Sequence, residues 1–220
     1  MFDNIKQQFE DEISAIKEGG MYKDEGILSG MQGSEIKVGG KKFLNFCSNN
    51  YLGLASDKNI MQEAIIGLKK FGMGAASVRF ICGTFSVHKE LEEQISRFFG
   101  TEDAILYSSC FDANTGIFET ILKEGDAVFS DELNHASIID SIRLAKAITK
   151  CTTGVYKHSD LDDLRDKLVQ NKGAKRRIIW TDGIFSMEGS IAKLPEILQI
   201  ARDHDAIVVM DEDQPDQLIA

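Results

Sequence analysis

The chain has 220 residues, 43% of them apolar and 27% charged, a globular balance that excludes a wholly disordered chain. Lys and Arg number 25 against 35 Asp and Glu, and the formal charge of −10 repels a polyanion, which argues against nucleic acid as a partner. The longest apolar run, Ala206 to Met210, falls far short of the roughly 18 residues of a membrane helix, and the opening MFDNIKQQFEDE is acidic and amphipathic rather than a secretory signal, so a cytoplasmic chain away from any membrane is expected.

Taken in chain order, Phe2, Ile5, Phe9, Ile13 and Ile16 recur at helical spacing until Gly19-Gly20 stops them. Glu35–Val38 and Phe43–Phe46 flank Gly39-Gly40, which predicts a hairpin with a primed turn. A helix capped by Asp57 is expected over 57–70, then a loop ASVRFICGT, then a helix over 86–99. After Gly100, Ile- and Val-rich runs alternate with amphipathic windows. Strands are expected at 104–107, 127–129, 152–156, 178–181 and 206–210, with helices near 112–122, 137–147, 161–170 and 194–203. That alternation predicts an α/β domain with a mainly parallel sheet and helices on both faces. The four cysteines (Cys47, Cys82, Cys110 and Cys151) stand singly, without C-x-x-C spacing or histidines at ligand distance, so neither a metal site nor a disulfide framework is expected.

In such a sheet ligands lie beyond the carboxyl ends of the strands. Ser108 to Asp112 runs from a strand into a helix, either an ordinary turn or a phosphate cradle of helix-start amides. His135 follows Asn134 at another helix start, as a structural side chain or as a flat ring able to stack on an aromatic ligand and move protons. Asp211 ends the most apolar strand, either as an exposed strand end or as a carboxylate kept ionised by a cation or strong donor. Ser186 lies in a two-glycine loop, as part of a turn or as a hydroxyl facing a ligand. Arg79, in an apolar stretch, reads as a salt bridge or an acid-binding group. Neither a Gly-x-Gly-x-x-Gly nor a Gly-x-x-x-x-Gly-Lys-Ser/Thr pattern occurs, which disfavours dinucleotide and triphosphate binding.

The segments NFCSNNYLGL (45–54), ASVRFICGT (76–84), AILYSSCFDAN (104–114), NHASIIDSIRLAKA (134–147) and TDGIFSMEG (181–189) together resemble the α-oxoamine synthases, fold-type I enzymes that use pyridoxal 5′-phosphate. SVRFICGT and SSCFDAN resemble most the glycine C-acetyltransferase (2-amino-3-ketobutyrate coenzyme A ligase) branch. The resemblance implies that Cys110 and Phe111 offer amides to the cofactor phosphate, that His135 stacks on its ring and takes part in acid–base steps, and that Ser186 approaches its O3′. Asp211 would pair with the ring nitrogen, and Asn50 would lie on the substrate side. The implied reaction condenses glycine with acetyl-coenzyme A to 2-amino-3-oxobutyrate and coenzyme A, in a homodimer. A non-catalytic subunit or interaction fragment of the same fold, and a synthase with a different acyl-coenzyme A, are the alternatives.

The resemblance ends after Asp211-Glu212, where Gln214 stands in place of the family's histidine and the pattern is lost to Ala220. The last lysine is Lys193, ahead of Asp211, whereas the family's Schiff-base lysine follows that aspartate. The expected organisation is an extension over 1–56, a partial cofactor-binding large domain over 57–212 and a divergent tail over 213–220, without the carboxyl-terminal small domain. Little or no synthase activity is expected of this chain alone, and poor solubility is expected from an unpaired sheet edge.

Overall fold

A computed structural model describes residues 2–212; the tail 213–220, with Gln214, lies outside the described residues. The chain divides into two compact units, Met1–Gly74 and Ala75–Ala220.

In the first unit, α1 (Phe2–Glu18) ends at Gly19-Gly20, with Gly20 at a φ of 67° that favours glycine. Strands β1 (Glu35–Val38) and β2 (Lys41–Leu44) pair antiparallel, Val38 opposite Lys41. Both turn glycines have positive φ, 56° at Gly39 and 79° at Gly40, as a primed two-residue turn requires. Because that turn is only two residues long, the second strand begins at Lys41, two residues earlier than the apolar pattern suggested. Helix α2 (Lys58–Phe71) starts where Asp57 accepts from the amides of Asn59 (2.8 Å) and Ile60 (3.0 Å).

The second unit opens with a tight turn over Arg79–Gly83 and helix α3 (Ser86–Phe99). Arg79 resolves as a salt bridge: Glu92 accepts from Arg79 (2.5 Å), from Lys89 (2.6 Å) and from the Leu106 amide (3.1 Å). Then follow α4 (Cys110–Ile121), β3 (Ala127–Asp131), α5 (Ala136–Thr149), β4 (Thr152–Tyr156), α6 (Leu161–Gln170), β5 (Arg177–Asp182), α7 (Leu194–Asp203) and β6 (Ala206–Asp211). The four strands form a parallel sheet in the order β4-β3-β5-β6.

Period-2 alternation splits the sheet's side chains between two cores. Val128, Ile178 and Trp180 pack with Phe118 and Leu122 of the α4 region and with Ile138 and Ile142 of α5. Ala127, Phe129 and Ile179 pack on the opposite face with Leu164 and Leu168 of α6 and Ile197 and Ile200 of α7. The expected layers, helices on both faces of a parallel sheet, are present.

The strand expected at 104–107 does not form among the described residues. A strand needs a ladder partner. Here the Leu106 amide donates to the Glu92 carboxylate instead of to a neighbouring strand.

Candidate active site

All four parallel strands point their carboxyl ends to one rim, where Asp131, Asp182 and Asp211 end β3, β5 and β6. Helix α4 begins at this rim. Ser109 is its N-cap: its hydroxyl accepts from the Asp112 amide (3.0 Å) and its carbonyl from the Ala113 amide (3.0 Å). The two preceding amides, of Cys110 and Phe111, belong to the first turn, which a helix cannot satisfy from within. They carry the positive end of the helix dipole. Hydrogen bonds from the Ser108 and Ser109 hydroxyls hold the Asp112 carboxyl below the ordinary range, so this turn also carries a stable negative charge.

Asp211 is buried, 9% exposed, which for a carboxylate demands donors. Asn114 Nδ2 donates to its Oδ2 at 2.7 Å, and the Cys110 thiol lies 3.2 Å from its Oδ1. Cys110 and Asn114 are four residues apart on α4 and so share the face turned to β6. The Asn114 amide also reaches Ser137 Oγ (2.9 Å), which meets His135 Nδ1 at 2.8 Å. The tautomer follows from these bonds. Nδ1 accepts from the Ser137 amide (3.3 Å), because His135 is the N-cap of α5, and with Nδ1 an acceptor the Ser137 hydroxyl meets it as a donor. The proton of the neutral His135 ring therefore resides on Nε2, and the residue is exposed. A single chain of hydrogen bonds thus runs from the Asp211 carboxylate through Asn114 and Ser137 to the His135 imidazole.

The backbone beneath this chain is fixed by buried polar groups. The His135 amide donates to Asp182 Oδ2 (2.8 Å), and Asn134 bridges β3 and β5 through Ser130 Oγ (2.9 Å), the Trp180 carbonyl (2.8 Å) and the Asp182 amide (2.8 Å). Of the residues singled out in the sequence, Cys110, Phe111, His135 and Asp211 therefore gather on the α4–α5–β6 side of the rim. Ser186 lies exposed in the loop after β5. Asn50 belongs to the other unit, where its Oδ1 accepts from the Ala55 amide (3.0 Å) and shapes a turn. Sequence reasoning missed Asn114 and Ser137. The signal was there: Asn114 is four residues after Cys110, and Ser137 is two after His135, at N2 of the helix that His135 caps.

Comparison with known proteins gives this rim a context. Residues 41–212 match the family described as aminotransferase class I and II. Over 205 residues the chain is 51% identical to the mitochondrial 2-amino-3-ketobutyrate coenzyme A ligase of Bos taurus, covering 92% of this chain and 48% of that protein. It is 46% identical over 209 residues to the 2-amino-3-ketobutyrate coenzyme A ligase of Escherichia coli K12, covering 94% and 52%. Among solved structures, the serine palmitoyltransferase of S. paucimobilis, with a bound PLP–myriocin aldimine, superposes with a TM-score of 0.83 at 29% identity, covering 93% of this chain and 53% of that one. The chain thus spans about half the length of the curated relatives it matches. Its parallel sheet and flanking helices are those of the fold-type I pyridoxal-phosphate transferases, and the chain belongs to the aminotransferase class I and II family.

Proposed function

We propose that this chain provides the cofactor-binding half of a glycine C-acetyltransferase, the enzyme type that condenses glycine with acetyl-coenzyme A to 2-amino-3-oxobutyrate and coenzyme A. The observation that carries this reading is the buried Asp211 carboxylate, tied by hydrogen bonds to His135 beside the amino terminus of α4. Those donors and acceptors fit pyridoxal 5′-phosphate. Asp211 would hold the ring nitrogen in its protonated form, the first-turn amides of Cys110 and Phe111 would bind the phosphate, and the exposed His135 ring would cover the pyridine. When bound, the cofactor supplies an electron sink that stabilises negative charge at the glycine Cα.

The chain's own residues account for the rest. The Ser137 amide, donating to Nδ1, fixes the neutral His135 tautomer with its proton on Nε2, and that proton is the one the ring can offer to a bound ligand. Ser186 and Asn50 are proposed to serve the O3′ and the substrate side. Glycine and acetyl-coenzyme A are the proposed substrates, a homodimer the proposed assembly and the cytoplasm the proposed compartment. No described helix is long and apolar enough to cross a membrane.

The 220-residue chain by itself is proposed to have little or no synthase activity. Lys193, its last lysine, precedes α7 and donates Nζ to the Ser159 carbonyl (3.0 Å) rather than to the Asp211–His135 side of the rim. The test is a titration with pyridoxal 5′-phosphate followed by absorbance, with borohydride reduction, mass spectrometry and an assay of coenzyme A release. Saturable binding that is weakened in Asp211→Ala and His135→Ala, without a lysine adduct or coenzyme A release, is the expected result. Binding untouched by both substitutions overturns the site. A reduced adduct at one lysine with sustained turnover overturns the reading of the lone chain as inactive.

A further inference from the structure

At the same rim, but on the β3–β5 side, three side chains that the cofactor site does not use form a second arrangement. Asp131, 2% exposed, ends β3. Its Oδ1 lies 3.0 Å from His158 Nδ1, and His158 Nε2 lies 3.0 Å from Ser190 Oγ. The remaining contacts fix the protonation pattern. Asp131 also accepts from the Leu133 amide (3.0 Å, Oδ1) and the Ser159 amide (3.0 Å, Oδ2), so both of its oxygens serve as acceptors. An acceptor at Nδ1 places the imidazole proton there and leaves Nε2 to accept; Ser190 Oγ donates to it at 3.0 Å, and Ser159 Oγ stands farther off at 3.5 Å.

The backbone and one edge of the imidazole are also held. The His158 amide donates to Glu132 Oε1 (2.8 Å), and the Phe185 ring meets the imidazole edge-on, 4.4 Å between centroids at 82°. Ser190 is held in turn by Phe185, whose amide donates to the Ser190 carbonyl at 2.9 Å. Asp131 is buried, whereas His158 and Ser190 are partly exposed, with 22% of the His158 side chain reachable. Lys193, three residues beyond Ser190, donates to the Ser159 carbonyl and brings a positive charge to this corner. A hydroxyl on a bare imidazole nitrogen, with the other nitrogen held by a buried carboxylate, is the arrangement that makes a serine nucleophilic, whatever the fold that carries it.

We propose that Asp131, His158 and Ser190 form a second, hydrolytic site, with Ser190 as nucleophile toward small activated carboxylic esters. Ser190 Oγ bonds to the acyl carbon as its proton passes to His158 Nε2. The bond to the leaving alkoxide breaks, and the alkoxide takes that proton. Water then attacks the acyl-serine, giving the carboxylic acid and restoring the hydroxyl. Asp131 acts as the positioning residue, fixing the tautomer that leaves Nε2 free to accept.

The test treats the 220-residue chain with a fluorophosphonate, which forms an Oγ–P bond and expels fluoride, and maps the adduct by peptide mass spectrometry. p-Nitrophenyl acetate turnover is followed in parallel. The expected result is an adduct at Ser190 and not at Ser159, absent in Ser190→Ala, slowed at least tenfold in His158→Gln and unchanged in Ser96→Ala on α3, with ester turnover falling in step. Thermal melting of each variant separates lost chemistry from lost fold. A downfield imidazole N–H proton resonance that vanishes in His158→Gln and in Asp131→Asn, with melting unchanged, reports the positioning contact directly. No adduct at Ser190, or one that forms equally fast in folded His158→Gln, overturns the proposal and leaves the three residues as a pin for the loop after β5.

Discussion

The hydrogen-bond chain at the rim makes a quantitative demand on Asn114. This side chain is 4% exposed and donates to a buried carboxylate at 2.7 Å and to Ser137 Oγ at 2.9 Å. A hydrogen bond to a charged group contributes about 1.5–3 kcal/mol and a neutral one about 1 kcal/mol, so Asn114→Ala is expected to cost about 3 kcal/mol. A domain of this size is stable by about 5–15 kcal/mol, so the variant remains folded but its urea midpoint falls clearly. The single tryptophan, Trp180, is fully buried and stacked on Phe118 with centroids 3.6 Å apart, so its fluorescence reports the transition from the core next to this site. The decisive measurement is a double-mutant cycle. In an Asp211→Ala background the cost of Asn114→Ala should shrink by about 2 kcal/mol, because the charge it serves has gone. Costs that add within about 0.5 kcal/mol would show the two residues to be energetically independent, and the chain from Asp211 to His135 would lose its first link.

Three further outcomes follow from other parts of the molecule. Hydrogen bonds from Arg79 and Lys89 hold Glu92 down to about 2 against an ordinary 4.5; a carboxyl depressed in the folded state contributes stability above its unfolded pKa, so this contribution should be lost as pH falls from about 4.5 towards 2, and acid titration of Glu92→Gln should lack that step. Tyr156 is 1% exposed, its phenol is pushed well above the ordinary value by burial and by the Asp131 carboxylate against a smaller opposing pull from the Thr181 side chain, and its hydroxyl makes no well-aligned hydrogen bond among the described residues; Tyr156→Phe should therefore leave the urea midpoint unchanged or raise stability by about 1 kcal/mol, and a loss above about 2 kcal/mol would mean that the Thr181 contact is a full hydrogen bond. A Cβ at Gly83 would run into the Ser77 backbone carbonyl, so Gly83→Ala should cost about 1–3 kcal/mol and loosen the Arg79–Glu92 pair, read as faster amide exchange at Leu106.

How much of this was legible depends on whether the determinant is local. The bounds of α3, α6 and α7 follow from neighbours in sequence: Gly100 in the left-handed region closes α3, Asp160 caps α6 through the amides of Asp162 and Asp163, and Pro195 sits in the first turn of α7, where its missing N–H costs nothing. The segment 104–107 has strand composition, yet a strand exists only with a ladder beside it, and nothing in Ala104–Tyr107 reveals that the Leu106 amide will find Glu92 instead.

The rim shows the same division at the level of chemistry. That a carboxylate ending the most apolar strand needs a donor is a statement about solvation, and it holds for Asp211 whatever surrounds it. Which donor arrives is a statement about how α4 lies on β6. Helical spacing still narrows the choice, because a donor on the face of Cys110 must come three or four residues later, and of Ala113 and Asn114 only Asn114 carries one. The step from Asn114 to Ser137 crosses from α4 to α5, 23 residues apart, and no spacing rule reaches it. That crossing is what joins His135 to Asp211: Ser137 Oγ receives the Asn114 amide at 2.9 Å and meets His135 Nδ1 at 2.8 Å, so the surroundings of a residue visible in the sequence are set by a contact that only the folded chain supplies.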